Sequence, residues 1–147
     1  MAVKLQLACF ERAGAPGVEA AARTVDAART VGLLVLIDGK RGDIGVTAEA
    51  YADALYDALG ADAITANPLL GRDALEPFLD RGGTFVLVRT SNPGAADLQD
   101  LELAGGGTLS DRIASFLLAQ ASAIRHLVHE FGLRHVLHPP WVGVRRT

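Results

Sequence analysis

The residues best suited to chemistry lie together in the stretch Leu33 to Thr47, LLVLIDGKRGDIGVT. Asp38, Lys40, Arg41 and Asp43 fall within six residues, directly after an apolar run from Leu33 to Ile37. That run reads as a buried parallel strand, and its carboxyl end is where β/α folds gather loops and build active sites. An isolated D-x-K after a strand is as often a solvated loop. The density of charge here, with Gly39, Gly42 and Gly45 spaced to let the backbone turn tightly, favours a site. The chemistry on offer is that of fixed charges. Cys9 has no base near it in any motif and reads as a small buried residue rather than a nucleophile. His126 and His129, at i and i+3, lack a carboxylate or cysteine at metal-ligating spacing and read as helix-flank histidines.

The elements that must position these charges alternate. Met1 to Lys4 reads as the end of a strand. Val18, Ala21, Ala22, Val25 and Ala28 recur at helical spacing up to a stop at Gly32. After the strand Leu33 to Ile37, a second helix carries Ala48, Tyr51, Ala52, Leu55 and Leu59 and ends at Gly60. Ala63 to Ala66 is a short strand, Ala74 to Asp80 a short helix and Thr84 to Val88 another strand. Residues Ser91 to Gly107 form a Gly- and Asp-rich loop, read as mobile. A long amphipathic helix then follows, with Thr108 as N-cap, Asp111 in its first turn, and Leu109, Ile113, Phe116, Leu117, Ile124, Leu127, Val128 and Phe131 facing inward. Strands alternating with helices predict an α/β fold with a parallel sheet.

The chain has 147 residues, 50% of them hydrophobic, and a net charge of −3. That is enough for one domain with a core, residues 1–147, but short of the roughly 200 to 250 residues of a whole (β/α)8 barrel. The charge offers no basic face for nucleic acid, and no apolar run approaches the roughly 20 residues of a membrane span. A single cysteine and the lack of a leader pattern predict a cytoplasmic protein.

The segment D-x-K-R-G-D-I-G resembles the signature of orotidine 5'-phosphate decarboxylases, most closely the mycobacterial-type branch. Three further stretches agree in order: Val3 to Gln6 with Phe10-Glu11, Gly60 to Ala63 with Asn67-Pro68, and Val88 to Gly94. The resemblance runs to about Phe131, and 132–147 diverge. It implies an incomplete (β/α)8 TIM barrel, approximately strands 2 to 6, apparently truncated at both ends, and decarboxylation of orotidine 5'-phosphate (OMP) to UMP without cofactor or metal. It implies catalytic roles for Lys4, Asp38, Lys40 and Asp43, with Lys40 stabilising the developing carbanion and delivering the proton. Substrate contacts fall to Ile44, Thr47, Asn67 and Ser91. It further implies a homodimer in which Asp43, Ile44 and Thr47 serve the partner's site. The same resemblance leaves the phosphate-gripping strands without a counterpart, so the isolated chain is expected to be a poor catalyst. Two other readings fit the sequence: an inactive barrel remnant that only dimerises, and a metal-using sugar-phosphate lyase of the same suprafamily.

Overall fold

The structure is a computed structural model that describes residues 1–130, with side chains described through Ala119. It divides into two compact units, Met1–Leu87 and Val88–Thr147.

In the first unit four strands form one parallel sheet in the order β1-β2-β3-β4. These are β1 (Ala2–Gln6), β2 (Leu34–Arg41), β3 (Ala63–Ala66) and β4 (Gly83–Val86). Helices α1 (Leu7–Glu11) and α2 (Ala15–Thr30) link β1 to β2, α3 (Gly45–Ala52) links β2 to β3, and α4 (Arg72–Leu79) links β3 to β4. The alternation read from the sequence is therefore present. Strand β3 has the bounds expected, and α2 stops where Gly32 predicts. At that stop Gly32 adopts φ +73°, with its N–H on the Arg29 carbonyl at 3.0 Å and the Leu33 N–H on that of Ala28 at 3.0 Å. The two bonds satisfy the last carbonyls of α2 and turn the chain into β2.

The register pairs Leu5 with Ile37, Ile37 with Ile64, and Ile64 with Thr84. Alternation along the strands then sends Val35, Ile37, Ile64 and Ala66 to one side, where all are buried, as are Ala21 and Val25 of α2, Ala48 and Ala52 of α3, and Leu75 and Phe78 of α4. Fully burying a valine, leucine, isoleucine or phenylalanine side chain is worth about 1.5–3 kcal/mol, so this layer holds the unit together. Lys4, Leu36, Asp38 and Thr65 face the other side.

Two differences from the sequence reading stand out. Helix α3 does not continue regularly to Gly60: after Ala52 it widens into a π-helical segment, Asp53–Ala58, which carries the buried Leu55 and Tyr56. The Tyr56 hydroxyl donates to the Gly83 carbonyl at 2.9 Å and lies 2.9 Å from Thr84 Oγ1, tying this segment to β4. Burial raises the Tyr56 phenol to about 12, outweighing the opposing hydrogen bond with Thr84. Cys9 is exposed rather than buried, because the short α1 turns Leu7 into the core and leaves Cys9 on its outer side.

In the second unit the loop read as mobile is internally bonded. Arg89 grips Asp100 with two bonds of 2.7 and 2.8 Å, and Gln99 accepts the Thr90 N–H at 2.7 Å. A 3-10 turn spans Pro93–Asp97, and an isolated antiparallel bridge joins Glu102 to Thr108. Helix α5 (Leu109–Glu130) follows. Thr108 caps it as expected: its Oγ1 accepts the Asp111 N–H at 3.1 Å, while Asp111 Oδ2 accepts the Thr108 N–H at 2.9 Å. This reciprocal pair is a capping box built on aspartate. Ile113, Phe116 and Leu117 are partly covered. The side chains of Ile124, His126, Leu127, Val128 and His129, together with Phe131 and the divergent 132–147, lie outside the described residues.

Candidate active site

Strand β2 does not end at Ile37 but runs on through Arg41, so Asp38 and Lys40 are strand residues and not loop residues. Its pairing with β3 shifts between Ile37 and Arg41. At this irregularity Lys40, and neither Gly39 nor Gly42, takes the left-handed conformation, with φ +48°. A long side chain held there costs on the order of 1–3 kcal/mol and persists only where its surroundings impose it, and such outliers concentrate at functional sites.

The register Gln6 to Asp38 brings β1 alongside this point. Lys4 Nζ lies 2.8 Å from Asp38 Oδ2, and Lys40 Nζ lies 2.5 Å from Asp38 Oδ1. One carboxylate thus receives two ammonium groups on its two oxygens. Thr65 Oγ1, from β3, donates to Asp38 Oδ1 at 2.9 Å, and Lys4 Nζ also donates to Gln6 Oε1 at 3.1 Å. The Asp38 side chain is only 10% exposed, whereas those of Lys4 and Lys40 are 51% and 44% exposed. The fixed anion is therefore covered and the two cations are open to a ligand. Burial alone would raise the Asp38 carboxyl. The hydrogen bonds from Lys4, Lys40 and Thr65, and the Lys40 charge, outweigh it and hold the group at about 2 against an ordinary 3.8. Asp38 is ionised at neutral pH, and each charge is held by one of opposite sign.

Beside this network Arg41 pairs with Glu11 of α1 and lies over the Tyr51 ring, 5.1 Å from its centre. The clamp joins the end of α1 to the end of β2 and to α3. Arg41 and Glu11 stood out in the sequence only as parts of longer motifs.

Among the predicted site residues, the structure brings Lys4, Asp38 and Lys40 together. Asp43 is outside their network: its Oδ1 accepts the Ile44 N–H at 2.8 Å, and among the described residues it has no ion pair. Ile44 is 60% exposed, and Thr47 on the first turn of α3 is exposed too. Asn67 donates its backbone N–H to the Arg41 carbonyl at 2.7 Å, and its Oδ1 accepts the Leu69 N–H at 3.1 Å, which fixes the turn through Pro68. Ser91 is an exposed residue of the second unit. The residue that sequence reasoning missed is Thr65. The signal was available only through pairing: once Ile37 faces Ile64, the next residues, Asp38 and Thr65, are neighbours.

Parallel strands joined by helices, with a lysine–aspartate–lysine cluster at their carboxyl ends, have the arrangement of part of a β/α barrel. Residues 1–114 match the family described as orotidine 5'-phosphate decarboxylase / HUMPS, and the chain belongs to that family. It is 54% identical over 111 residues to the orotidine 5'-phosphate decarboxylase of Roseiflexus castenholzii, covering 74% of this chain and 40% of that one. With the Haloarcula marismortui enzyme of the same name the identity is 56% over 101 residues, covering 66% and 36%. The chain thus spans about 40% of the length of such relatives. Among solved structures, the Leishmania donovani OMP decarboxylase superposes with a TM-score of 0.72 at 42% identity, over 77% of this chain and 45% of that one. The Plasmodium berghei enzyme reaches 0.78 at 20% identity, over 86% and 42%, a likeness in fold. No helix among the described residues is long and apolar enough to cross a membrane.

Proposed function

We propose that this chain carries the decarboxylation centre of an enzyme converting OMP to UMP in pyrimidine biosynthesis, in the cytoplasm, and that it corresponds to approximately barrel strands 2 to 6, with β1 to β4 the first four of them. The observation that carries the reading is the Asp38 carboxylate held between Lys4 and Lys40 at 2.8 and 2.5 Å. Loss of carbon dioxide breaks the bond from the pyrimidine ring to its carboxyl carbon and leaves the electron pair on the ring carbon. A half-exposed ammonium is suited to stabilise that charge and then protonate it, which is the role of Lys40. UMP results, and Lys40 regains its proton from solvent. Asp38 faces the departing carboxylate and, with Lys4, fixes Lys40, so little reorganisation is left for the chemical step.

The Asp43 carboxylate, without an ion pair among the described residues, and the exposed Ile44 and Thr47 support a shared site in a homodimer, in which these residues meet the ribose and base bound by a partner subunit. Asn67, at the end of β3, borders the bound pyrimidine in this reading. The decarboxylase reading is favoured over a sugar-phosphate lyase because relatives 54% and 56% identical bear the decarboxylase name.

The test is a chimera in which residues 1–114 replace the matched segment of the Roseiflexus castenholzii enzyme. It should consume OMP with the ultraviolet change of UMP formation. A folded chimera without turnover would overturn the proposal.

A further inference from the structure

Thr65 is uncharged and sits in an unremarkable strand, Ala-Ile-Thr-Ala, yet both halves of Lys40 are tied to it. Its Oγ1 accepts the Lys40 backbone N–H at 2.9 Å and donates to Asp38 Oδ1 at 2.9 Å. The directions are fixed, since an amide can only donate and an ionised carboxylate only accept. Asp38 Oδ1 in turn receives Lys40 Nζ at 2.5 Å. The chain of contacts leaves Lys40 at its backbone and returns to it at its side chain.

This closed path lies where β2 and β3 fall out of register, between Ile37 and Arg41. Ladder pairing therefore does not hold the Lys40 amide, and the Thr65 hydroxyl takes the place of a strand partner for it. The same atom supports the left-handed turn at Lys40 and the orientation of the carboxylate that aims its ammonium. We infer that Thr65 is a positioning residue for the reaction, setting the Lys40 backbone and the Asp38 carboxylate together through one hydroxyl. The inference rests on the role given above to Lys40.

Thr65→Val keeps the branched shape and removes the hydroxyl, and Thr65→Ser keeps the hydroxyl and removes the methyl. In the 147-residue chain, Thr65→Val should speed hydrogen exchange of the Lys40 amide by about tenfold, the loss of one ordinary hydrogen bond. It should also move the Asp38 carboxyl titration, followed by carbon NMR, upward. Thr65→Ser should leave both near wild type. In the chimera, Thr65→Val should lower kcat by roughly ten- to a hundredfold, as small misplacements of a reacting group do, with KM changed by less than about threefold. Unchanged amide exchange and Asp38 titration in Thr65→Val would overturn the positioning role, whether or not the protein turns over OMP. Altered NMR signals with an undiminished kcat would overturn its link to the chemistry. A wild-type chimera without turnover would remove the decarboxylase reading, while the NMR comparison still decides the place of Thr65. If Thr65→Val does not fold, Thr65→Ala read against Thr65→Ser carries the same comparison.

Discussion

Replacing Asp38 by asparagine tests the charged centre without any substrate. The carboxyl is held at about 2 against an ordinary 3.8. A depressed carboxyl contributes stability that is present above the unfolded value and lost as pH falls through the folded one. The difference corresponds to about 2.4 kcal/mol at neutral pH by linkage. Because Lys4 and Lys40 are about half exposed, water screens the pairs and roughly 1–2 kcal/mol is the expected contribution. About half of it should remain at pH 3 and about a sixth at pH 2. Other carboxylates titrate in both proteins and cancel in the difference. Urea unfolding followed by circular dichroism at pH 6, 3 and 2 should therefore show wild type more stable than Asp38→Asn at pH 6, with the gap closing as the pH falls. Parallel curves across that range would refute the claim that Asp38 is held ionised by its two lysines.

In the chimera, Lys40→Ala should lower kcat by orders of magnitude and KM far less, because the interaction is used mainly in the transition state; steady-state kinetics on OMP decide it. The 147-residue chain alone should turn over OMP far more slowly than the chimera, since remote binding groups elsewhere in the enzyme contribute to catalysis, and comparable rates would contradict this. Chimeras bearing Lys40→Ala and Asp43→Ala, each inactive, should recover about a quarter of wild-type activity after subunit exchange, because about half the dimers are mixed and each has one intact site. Exchange verified by mass without recovered activity would show that Asp43 works within its own chain. Gly17→Ala, which gains about 1 kcal/mol by helix propensity at an open site, should here cost about 1–3 kcal/mol, as seen in thermal unfolding. A Cβ there would overlap the Phe10 carbonyl oxygen and lie 2.9 Å from its carbon, so α1 must shift.

Much of the fold was legible because apolar runs and stops coincide. Leu33 to Ile37 sits between Gly32 and Asp38, and Ala63 to Ala66 ends at Asn67-Pro68. Charge misled at β2, where Asp38 to Arg41 reads as loop although the backbone stays in the sheet. The tight turn was sought among glycines, and Gly45 does take a left-handed φ of +52°, but within β2 that conformation falls on Lys40, a strain that no propensity anticipates. Cys9 was taken for a core residue on its type alone, whereas its place on α1 decides its exposure. Lys4, Asp38 and Lys40 were legible through their motif, and Thr65 was not, because its neighbours across the sheet, rather than along the chain, give it meaning.

The order of the sheet has a consequence for how the unit comes into being. Ala2 pairs with Leu34, Leu36 with Ala63, and Ala63 with Gly83, so each strand lies beside the next one in the chain. Among the described strands none has to wait for a distant segment, and the loop to be closed shortens at each step. Parallel pairing is intrinsically slow, and this order limits the delay by keeping each closure between neighbouring strands. On the ribosome, where the amino-terminal part emerges first, β2 can dock on β1 before β3 has emerged. Lys4, Asp38 and Lys40 would then already be in contact, with Thr65 the last of the four to arrive.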